Sequence, residues 1–182
     1  MIDLSKKYSS SLKNYNYIDL FAGIGGFRLA LDSFGAKCVF TSEWDKHSQD
    51  VYIKNFGNEP DGDITKIHEK DIPNHDFLFG GFPCQPFSIS GKQKGFDDTR
   101  GTLFFDIARI AKYHKPKIMI LENVKNILTI NGGETLKTIK EVLEKELNYS
   151  VFIRLLKGND FGVPQQRERV FFMCFHKSCL LY

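Results

Sequence analysis

The stretch that decides the fold is DLFAGIGGF, residues 19–27, in which a short apolar strand runs into three closely spaced glycines and then a helix. Glycines allow the backbone to approach a ligand closely, and the N-terminus of a helix offers free N–H groups. The spacing differs from the dinucleotide fingerprint G-x-G-x-x-G, because Arg28 occupies the position of the third glycine. Taken alone, this loop is also compatible with an ordinary tight turn between a strand and a helix.

Strand-like and helix-like patterns alternate around this loop. The predicted strands span residues 15–20, 37–42, 76–79, 117–121, 150–156 and 169–175, and the predicted helices span 27–34, 45–55, 102–113 and 134–147. Such alternation indicates crossover connections, and hence an α/β fold with a mostly parallel sheet and helices on both faces. Residues 157–167 leave no room for a helix, so we expect the final two strands to be antiparallel.

Size and composition favour one soluble domain. The chain has 182 residues, of which 42% are hydrophobic and 26% charged, and its net charge of +3 permits a nucleic-acid partner without arguing for one. We expect a domain over residues 15–176, a polar tail at 1–14 and a short C-terminal tail at 177–182. No signal peptide or membrane span is visible, and the cysteines lack the spacing of a metal site or a disulfide framework. These features predict a cytoplasmic protein without a metal.

Acidic and aromatic residues follow the glycine loop at positions that suit a nucleoside. Glu43 comes twenty residues after Gly23 at the end of the second predicted strand, and a carboxylate there accepts hydrogen bonds from both hydroxyls of a ribose. Trp44 comes next and offers its ring to an adenine. Asp63, which we expect at a third strand end, suits an exocyclic amine. Each residue alone is better explained as a surface carboxylate or a packed aromatic, but together they predict an adenosine pocket.

A lone thiol and a second carboxylate follow the next two strands. Cys84 comes directly after the strand at 76–79, where a thiol is accessible and its pKa can be lowered. Glu122 ends the strand at 117–121. A nucleophile and a carboxyl group at neighbouring strand ends suit covalent catalysis with acid assistance. No histidine is placed as a base, and a zinc deaminase would need a second thiol after PCQP.

These motifs, taken together, resemble the DNA cytosine-5 methyltransferases of bacterial restriction–modification systems. The matching segments are DLFAGIGGF (19–27), EWD (43–45), GDI (62–64), GFPCQPFS (81–88), GTLFFDIARI (101–110), ENV (122–124) and QQRERV (165–170). They occur in the family's order and cover roughly residues 15 to 176. The resemblance implies a Rossmann-like, S-adenosylmethionine-dependent methyltransferase fold that acts on double-stranded DNA.

The resemblance also assigns roles to residues. It implies that S-adenosyl-L-methionine, which becomes S-adenosyl-L-homocysteine, is bound by Phe21, Ala22, Gly23, Ile24, Gly25, Gly26, Glu43, Trp44, Asp63, Ile64, Pro83 and Leu103. Cys84 would add to carbon 6 of a flipped-out cytosine, and Glu122 would bind ring nitrogen 3 and the exocyclic amine. Arg169 and Arg167 would hold the base oxygen and a nearby phosphate.

A long polar segment follows Cys84. The resemblance implies a mobile loop over residues 88–101 that closes on the flipped base, and the residues suited to DNA contact are Ser88, Ser90, Lys92, Gln93, Lys94 and Arg100. The alternative is an ordinary solvated loop, which is uncommon at this length without a function.

The sequence departs from the family after QQRERV. Family members continue into a target-recognition domain and return with one more helix, whereas this chain ends at Tyr182. Three hypotheses follow: one half of a split methyltransferase with a second polypeptide, a truncated product that does not methylate alone, or a cofactor-binding or dimerising module without catalysis. We expect a catalytic domain that is inactive or partner-dependent alone, with self-association through an apolar flank.

Two other functions fit parts of the pattern. A transfer-RNA cytosine-5 methyltransferase shares the same motifs. A Rossmann-like oxidoreductase is disfavoured by the absent third glycine and by the pairing of Cys84 with Glu122.

Overall fold

The computed structural model describes residues 11–84 and 103–179. Six strands form one sheet: β1 (Asn16–Leu20), β2 (Lys37–Ser42), β3 (Phe77–Gly81), β4 (Ile118–Val124), β5 (Tyr149–Lys157) and β6 (Glu168–His176). The α-helices in the described ranges are α1 (Gly26–Ser33), α2 (Lys46–Phe56), α3 (Leu103–His114) and α4 (Glu134–Glu141). None of them is long and apolar enough to cross a membrane.

The strand order is β2-β1-β3-β4-β6-β5. β1 runs parallel to β2 and β3, and β3 runs parallel to β4. β6 is antiparallel to both β4 and β5, as expected from the short connection between the last two strands. The predicted α/β fold is therefore confirmed. The strand order reverses beside β1, and in open sheets of this kind ligands bind outside the carboxyl ends of the strands at such a point.

Apolar side chains from both faces of the sheet form the core. One cluster joins Ile18, Leu78 and Met119 of the sheet to Ile107 of α3 and Ile139 of α4. A second cluster on the other face joins strand residues to α1, and its buried members are Tyr17, Leu31, Ala36, Phe77 and Phe79. The helices thus cover both faces at β1 and β3, which fixes the carboxyl ends of these strands.

The second face is less well covered where it continues onto β4, β6 and β5. Phe152 of β5 lies opposite Met173 of β6, which lies opposite Ile120 of β4. Phe152 is 52% exposed, and its neighbours are partly buried. We call this surface the apolar flank; its residues are Ile120, Phe152, Phe171, Met173 and Phe175.

The segment that precedes β3 differs from the prediction. The expectation that Asp63 lies at a strand end is wrong, since Asp63 caps a 3-10 helix, Ile64–Lys66. Its carboxylate accepts hydrogen bonds from the Thr65 amide (3.1 Å) and hydroxyl (2.8 Å), and such local bonds compete with sheet pairing. The segment still lies beside β2, because the Asp61 amide donates to the Thr41 carbonyl (2.7 Å).

Two smaller differences concern the ends of predicted elements. The helix predicted at 134–147 is α-helical as far as Glu141 and continues as a π-helical turn, Val142–Glu146. Residues 11–14 of the predicted polar tail form a turn in which the Leu12 amide donates to the Phe34 carbonyl (3.0 Å). The remainder of that tail lies outside the described residues.

Candidate active site

The glycine loop follows β1 and turns sharply into α1. The Ala22 amide donates to the Ser42 carbonyl (3.0 Å), and the Gly25 amide donates to the Ala22 carbonyl (2.9 Å). Gly25 has a left-handed backbone with φ of 92°, and a Cβ atom there would lie 2.1 Å from Cε2 of Phe56. The loop therefore needs glycine at this position for both conformation and space.

The Glu43 carboxylate joins the loop to the end of β2. The side chain is buried, with Oε2 accepting from the Gly23 amide and Oε1 accepting from the Asp45 amide, each at 2.8 Å. The Gln49 side chain donates to the Glu43 carbonyl, which further fixes this strand end. Each carboxylate oxygen has a further lone pair, so Glu43 can also accept hydrogen bonds from a pair of hydroxyls.

A cavity of about 250 Å³ opens beside this carboxylate. Its lining consists of Phe21, Ser42, Glu43, Trp44, Gly62, Asp63, Ile64, Thr65 and Leu103. The Trp44 side chain is 74% exposed, and hydrogen bonds from Thr65 hold the pKa of the Asp63 carboxyl below its ordinary value. An indole face, two carboxylates that accept hydrogen bonds and several apolar side chains together fit an adenosine group.

Six of the predicted cofactor residues line this cavity: Phe21, Glu43, Trp44, Asp63, Ile64 and Leu103. The residues at 22–26 form the adjoining loop, and Pro83, directly before Cys84, is not among the residues that line the cavity. Ser42, Gly62 and Thr65 also line the cavity but were not predicted to do so; Gly62 belongs to the GDI motif, and Ser42 and Thr65 are immediate neighbours of EWD and GDI. The binding roles of all these residues stay predictions.

The second half of the site combines Cys84 with an ion pair on β4 and β6. Glu122 Oε1 lies 2.8 Å from Arg169 Nε, and both side chains are about three-quarters buried. Glu122 lies opposite Gly81 of β3, where a Cβ atom would be 3.4 Å from Glu122 Oε2. The carboxylate therefore lies against the strand that leads to Cys84.

Asn123 fixes the exit of that strand. Its buried side-chain amide donates to the Phe82 carbonyl (2.9 Å), two residues before Cys84. This contact between Asn123 and the backbone before Cys84 was not predicted from the sequence, although Asn123 is the central residue of the ENV motif. Because Asn123 and Glu122 are adjacent on β4, one strand positions both the carboxylate and the backbone that carries the thiol.

The expected lowering of the Cys84 pKa is wrong for this arrangement. The side chain is half-buried and packs against the main core cluster, and this burial raises the pKa of its thiol. Desolvation disfavours the thiolate relative to the thiol. Among the described residues, burial therefore favours the thiol form of Cys84 over the thiolate.

The remaining predicted residues are distributed differently. Arg167 is exposed in the turn between β5 and β6, where its carbonyl accepts from the Gly158 amide (3.0 Å), and the guanidinium that pairs with Glu122 is that of Arg169. The predicted DNA-contacting residues Ser88, Ser90, Lys92, Gln93, Lys94 and Arg100 lie outside the described residues. Within the described ranges, no cluster of three or more metal-ligating side chains occurs.

One buried acid was also missed. Asp19 of β1 has no exposed surface, and burial, partly opposed by Arg28, raises the pKa of its carboxyl to about 8. The adjacent Glu43 charge acts in the same direction as burial. Asp19 is the first residue of DLFAGIGGF and lies between apolar residues of a predicted strand. An acidic residue at such a position was the signal from which a buried carboxyl could have been predicted.

Comparison with known proteins places this geometry in context. A family model described as C-5 cytosine-specific DNA methylase matches residues 15–180. The type II methyltransferase M.HhaI of Haemophilus parahaemolyticus is 55% identical over 178 residues, covering 98% of this chain and 53% of that protein. M.HaeII of Haemophilus aegyptius is 56% identical, covering 90% of this chain and 51% of that protein.

Solved structures agree with the fold. A putative DNA modification methyltransferase encoded within an Escherichia coli prophage has a TM-score of 0.74 at 26% identity, covering 93% of this chain and 49% of that one. The S. pombe Dnmt2 methyltransferase has a TM-score of 0.72 at 23% identity, covering 89% of this chain and 51% of that one. The chain spans about half the length of the curated relatives it matches. The family match over residues 15–180 shows that the chain belongs to the C-5 cytosine-specific DNA methylases.

Proposed function

We propose that these residues form the catalytic and cofactor-binding part of a DNA (cytosine-5-)-methyltransferase of a restriction–modification system. The observation that carries the proposal is that Cys84, which follows β3, and the ion pair between Glu122 of β4 and Arg169 of β6 lie at the same sheet edge as the Glu43 cavity. A nucleophile and a carboxyl group lie at one end of this edge, and a nucleoside-sized cavity lies at the other. This arrangement suits group transfer between a nucleoside cofactor and a base.

The cavity side of the site fits S-adenosyl-L-methionine. Glu43 would accept hydrogen bonds from the ribose hydroxyls, and Trp44 and Ile64 would frame the adenine. The glycine loop, which is hydrogen-bonded to Glu43 through Gly23, would hold the remainder of the ligand. When bound, the cofactor supplies an electrophilic methyl group and leaves as S-adenosyl-L-homocysteine.

The thiol side of the site activates the base. Carbon 5 of cytosine is a weak nucleophile, and addition of the Cys84 thiolate to carbon 6 moves an electron pair into the ring and makes carbon 5 enamine-like. Glu122 would contact ring nitrogen 3 and the exocyclic amine, which stabilises the charge formed by this addition. After methylation, the carbon 5 proton would pass to solvent water and the bond between carbon 6 and sulfur would break, which returns Cys84 to the thiolate and restores the aromatic ring.

Because burial raises the pKa of the Cys84 thiol, binding of the DNA would help to activate this thiol. The thiol must lose its proton before it attacks, because the thiolate is the nucleophile, and burial raises the pKa that this step has to overcome. Arg169 would supply a positive charge beside the base and hold Glu122 in orientation through the 2.8 Å contact. Arg167 is exposed in the turn between β5 and β6 and suits a phosphate contact.

The target cytosine must leave the duplex, because carbon 6 is not accessible to a thiol within stacked bases. Unstacking and unpairing one base requires a few kcal/mol. The polar segment at 88–101 directly follows the thiol in the sequence and supplies the residue types that would compensate for this cost through phosphate and groove contacts.

The apolar flank supports the proposal of a further polypeptide segment or subunit. It places Phe152, at 52% exposure, and three partly buried β6 side chains on one sheet face. Exposed contiguous apolar surface of this kind is typical of interaction sites. We propose that a second polypeptide carrying the target-recognition domain covers it, and that isolated chains self-associate through the same surface. We also place the activity in the cytoplasm, where reduced thiols persist.

Methyl transfer from tritiated cofactor tests this function. The chain is incubated with labelled S-adenosylmethionine and duplex DNA, alone and with the polypeptide encoded by the downstream reading frame. Label in DNA cytosine that requires the second polypeptide supports the proposed partner-dependent enzyme. Sequence-specific methylation by the chain alone contradicts the partner dependence. Label in transfer RNA alone indicates the RNA methyltransferase. Cofactor binding without methyl transfer to any substrate indicates a binding module.

A further inference from the structure

Arg28 stands at the third-glycine position of the dinucleotide fingerprint, and the proposed chemistry does not use it. Its side chain is largely buried between α1 and α2. Nε lies 2.6 Å from Asp32 Oδ2, Nη1 donates to the Tyr52 hydroxyl (3.1 Å), and Cζ lies 5.2 Å from the centre of the Phe56 ring. The guanidinium is therefore held by its own helix and by two residues of α2.

The partners of Arg28 extend this contact into the sheet. The other oxygen of Asp32 accepts from the Tyr17 hydroxyl on β1 (2.7 Å). The Tyr52 hydroxyl is hydrogen-bonded to the Thr41 hydroxyl on β2 (3.0 Å). Arg28 is thus the centre of a polar network that joins two strands and two helices directly beneath the glycine loop.

The end of α2 that binds Arg28 also contacts the loop. The Phe56 ring lies against Gly25, and the Asn55 side chain donates to the Ile24 carbonyl (3.4 Å). The other end of α2 begins directly after the cavity residues Glu43 and Trp44. One helix, α2, therefore connects the glycine loop to the end of β2 that carries Glu43.

We propose that Arg28 is a positioning residue for cofactor binding. By fixing α1 on α2, it sets the distance between the glycine loop and the end of β2, where the Gly23 amide donates to Glu43. The inference rests on the proposed function, because it takes S-adenosylmethionine as the ligand. Lysine is a poor replacement, since an ammonium group lacks the planar fork that reaches Asp32 and Tyr52 together.

A matched pair of substitutions tests this role. Arg28→Met removes the network, and Lys117→Met serves as the control. Lys117 also combines an ion pair, with Asp76 at 2.7 Å, and a ring contact, with Tyr15 at 5.3 Å, but it lies before β4 at the opposite edge of the sheet. Trp44 is the single tryptophan and lines the cavity, so its fluorescence reports cofactor binding without any activity assay.

Titration of each variant with S-adenosylmethionine gives the expected contrast. We expect Arg28→Met and Arg28→Lys to raise the dissociation constant by about ten- to a hundredfold, by analogy with groups that orient the ligands of metal sites. Lys117→Met should leave it unchanged within about twofold, as expected for a distant independent site. An unchanged dissociation constant in Arg28→Met, or an equal rise in Lys117→Met, would overturn the proposal.

A milder variant covers the case in which Arg28→Met does not fold. Tyr52→Phe removes one hydroxyl from the network and keeps the ring, and a weaker affinity with an intact circular dichroism spectrum supports the positioning role. Wild-type affinity in Tyr52→Phe, together with wild-type affinity in Arg28→Lys, overturns it. Absence of binding by the wild-type chain would contradict the proposed function itself, whereas wild-type binding that these variants leave unaffected contradicts the role of Arg28 alone.

Discussion

We expect alanine substitution at three glycines of one loop to give three different results, because the backbone and surroundings of each glycine differ. Gly23 has φ of 55° with open space at its Cβ position, and Gly26 also has open space there but lies in α1. Gly25 combines φ of 92° with a Cβ position 2.1 Å from the Phe56 ring. The series therefore separates backbone conformation from steric overlap.

The magnitudes follow from these two terms. A left-handed backbone disfavours alanine by about 1–2 kcal/mol, which is the expected loss for Gly23→Ala. Displacing Phe56 adds about 1–3 kcal/mol in Gly25→Ala, for a total loss of about 2–5 kcal/mol. Gly26→Ala should stabilise the chain by up to about 1 kcal/mol, because alanine has the higher helix propensity.

Equilibrium unfolding in urea without cofactor, followed by Trp44 fluorescence and circular dichroism, measures these differences. The expected order of stability is Gly26→Ala, wild type, Gly23→Ala and Gly25→Ala. A smaller residue at the contact, Phe56→Leu, should reduce the effect of Gly25→Ala in a double-mutant cycle. Equal losses for Gly23→Ala and Gly25→Ala, or an unchanged loss in the Phe56→Leu background, would refute the steric part of the reasoning.

Three further predictions concern titrating groups and the ion pair. Because burial raises the Cys84 pKa, the rate at which iodoacetamide alkylates this thiol should increase with pH, with a midpoint above that of a free cysteine. The rate at Cys84 is obtained by difference from Cys84→Ser, and a midpoint below that of a free cysteine would contradict this account. Glu122→Gln removes the negative charge that pairs with Arg169 and should destabilise the fold by about 1–3 kcal/mol, measured by urea unfolding. Glu168→Gln, on a more exposed pair with Lys125, should have much less effect, and equal effects would show that the Glu122–Arg169 pair has no special role. The Asp19 carboxyl has a folded pKa of about 8 against an ordinary 3.8, so its contribution to stability is fully present below the ordinary value and is lost as pH rises through about 8. Asp19→Asn should therefore gain thermal stability relative to wild type as pH increases from 5 to 9, and a difference that does not vary with pH would contradict the raised pKa.

The fold was largely predictable because its signals are local and periodic. Each predicted strand overlaps an observed one, and the antiparallel position of β6 follows from a connection too short for a helix. Cys84 after β3 and Glu122 near the end of β4 lie at one edge of the sheet, because the carboxyl ends of parallel strands share an edge. These features depend on apolar periodicity and chain length, which the sequence displays directly.

The details of the site depend on side-chain geometry that no pattern encodes. The pairing of Glu122 with Arg169 rather than Arg167 depends on the β4–β6 register, in which Arg169 lies opposite Val124. Asp63 lies at the start of a 3-10 helix and not at a strand end, because its carboxylate accepts hydrogen bonds from Thr65. The direction of the Cys84 pKa depends on how closely the core packs around it.

The central claim is that Cys84 attacks carbon 6 of a flipped cytosine in DNA. Duplex DNA containing 5-fluorocytosine tests it most directly, since fluorine at carbon 5 blocks release of the thiolate and preserves the adduct. With S-adenosylmethionine and the proposed second polypeptide, we predict a covalent complex whose cross-linked peptide contains Cys84, and its loss in Cys84→Ser. A complex that persists in Cys84→Ser, or one that maps to another residue, would contradict the account.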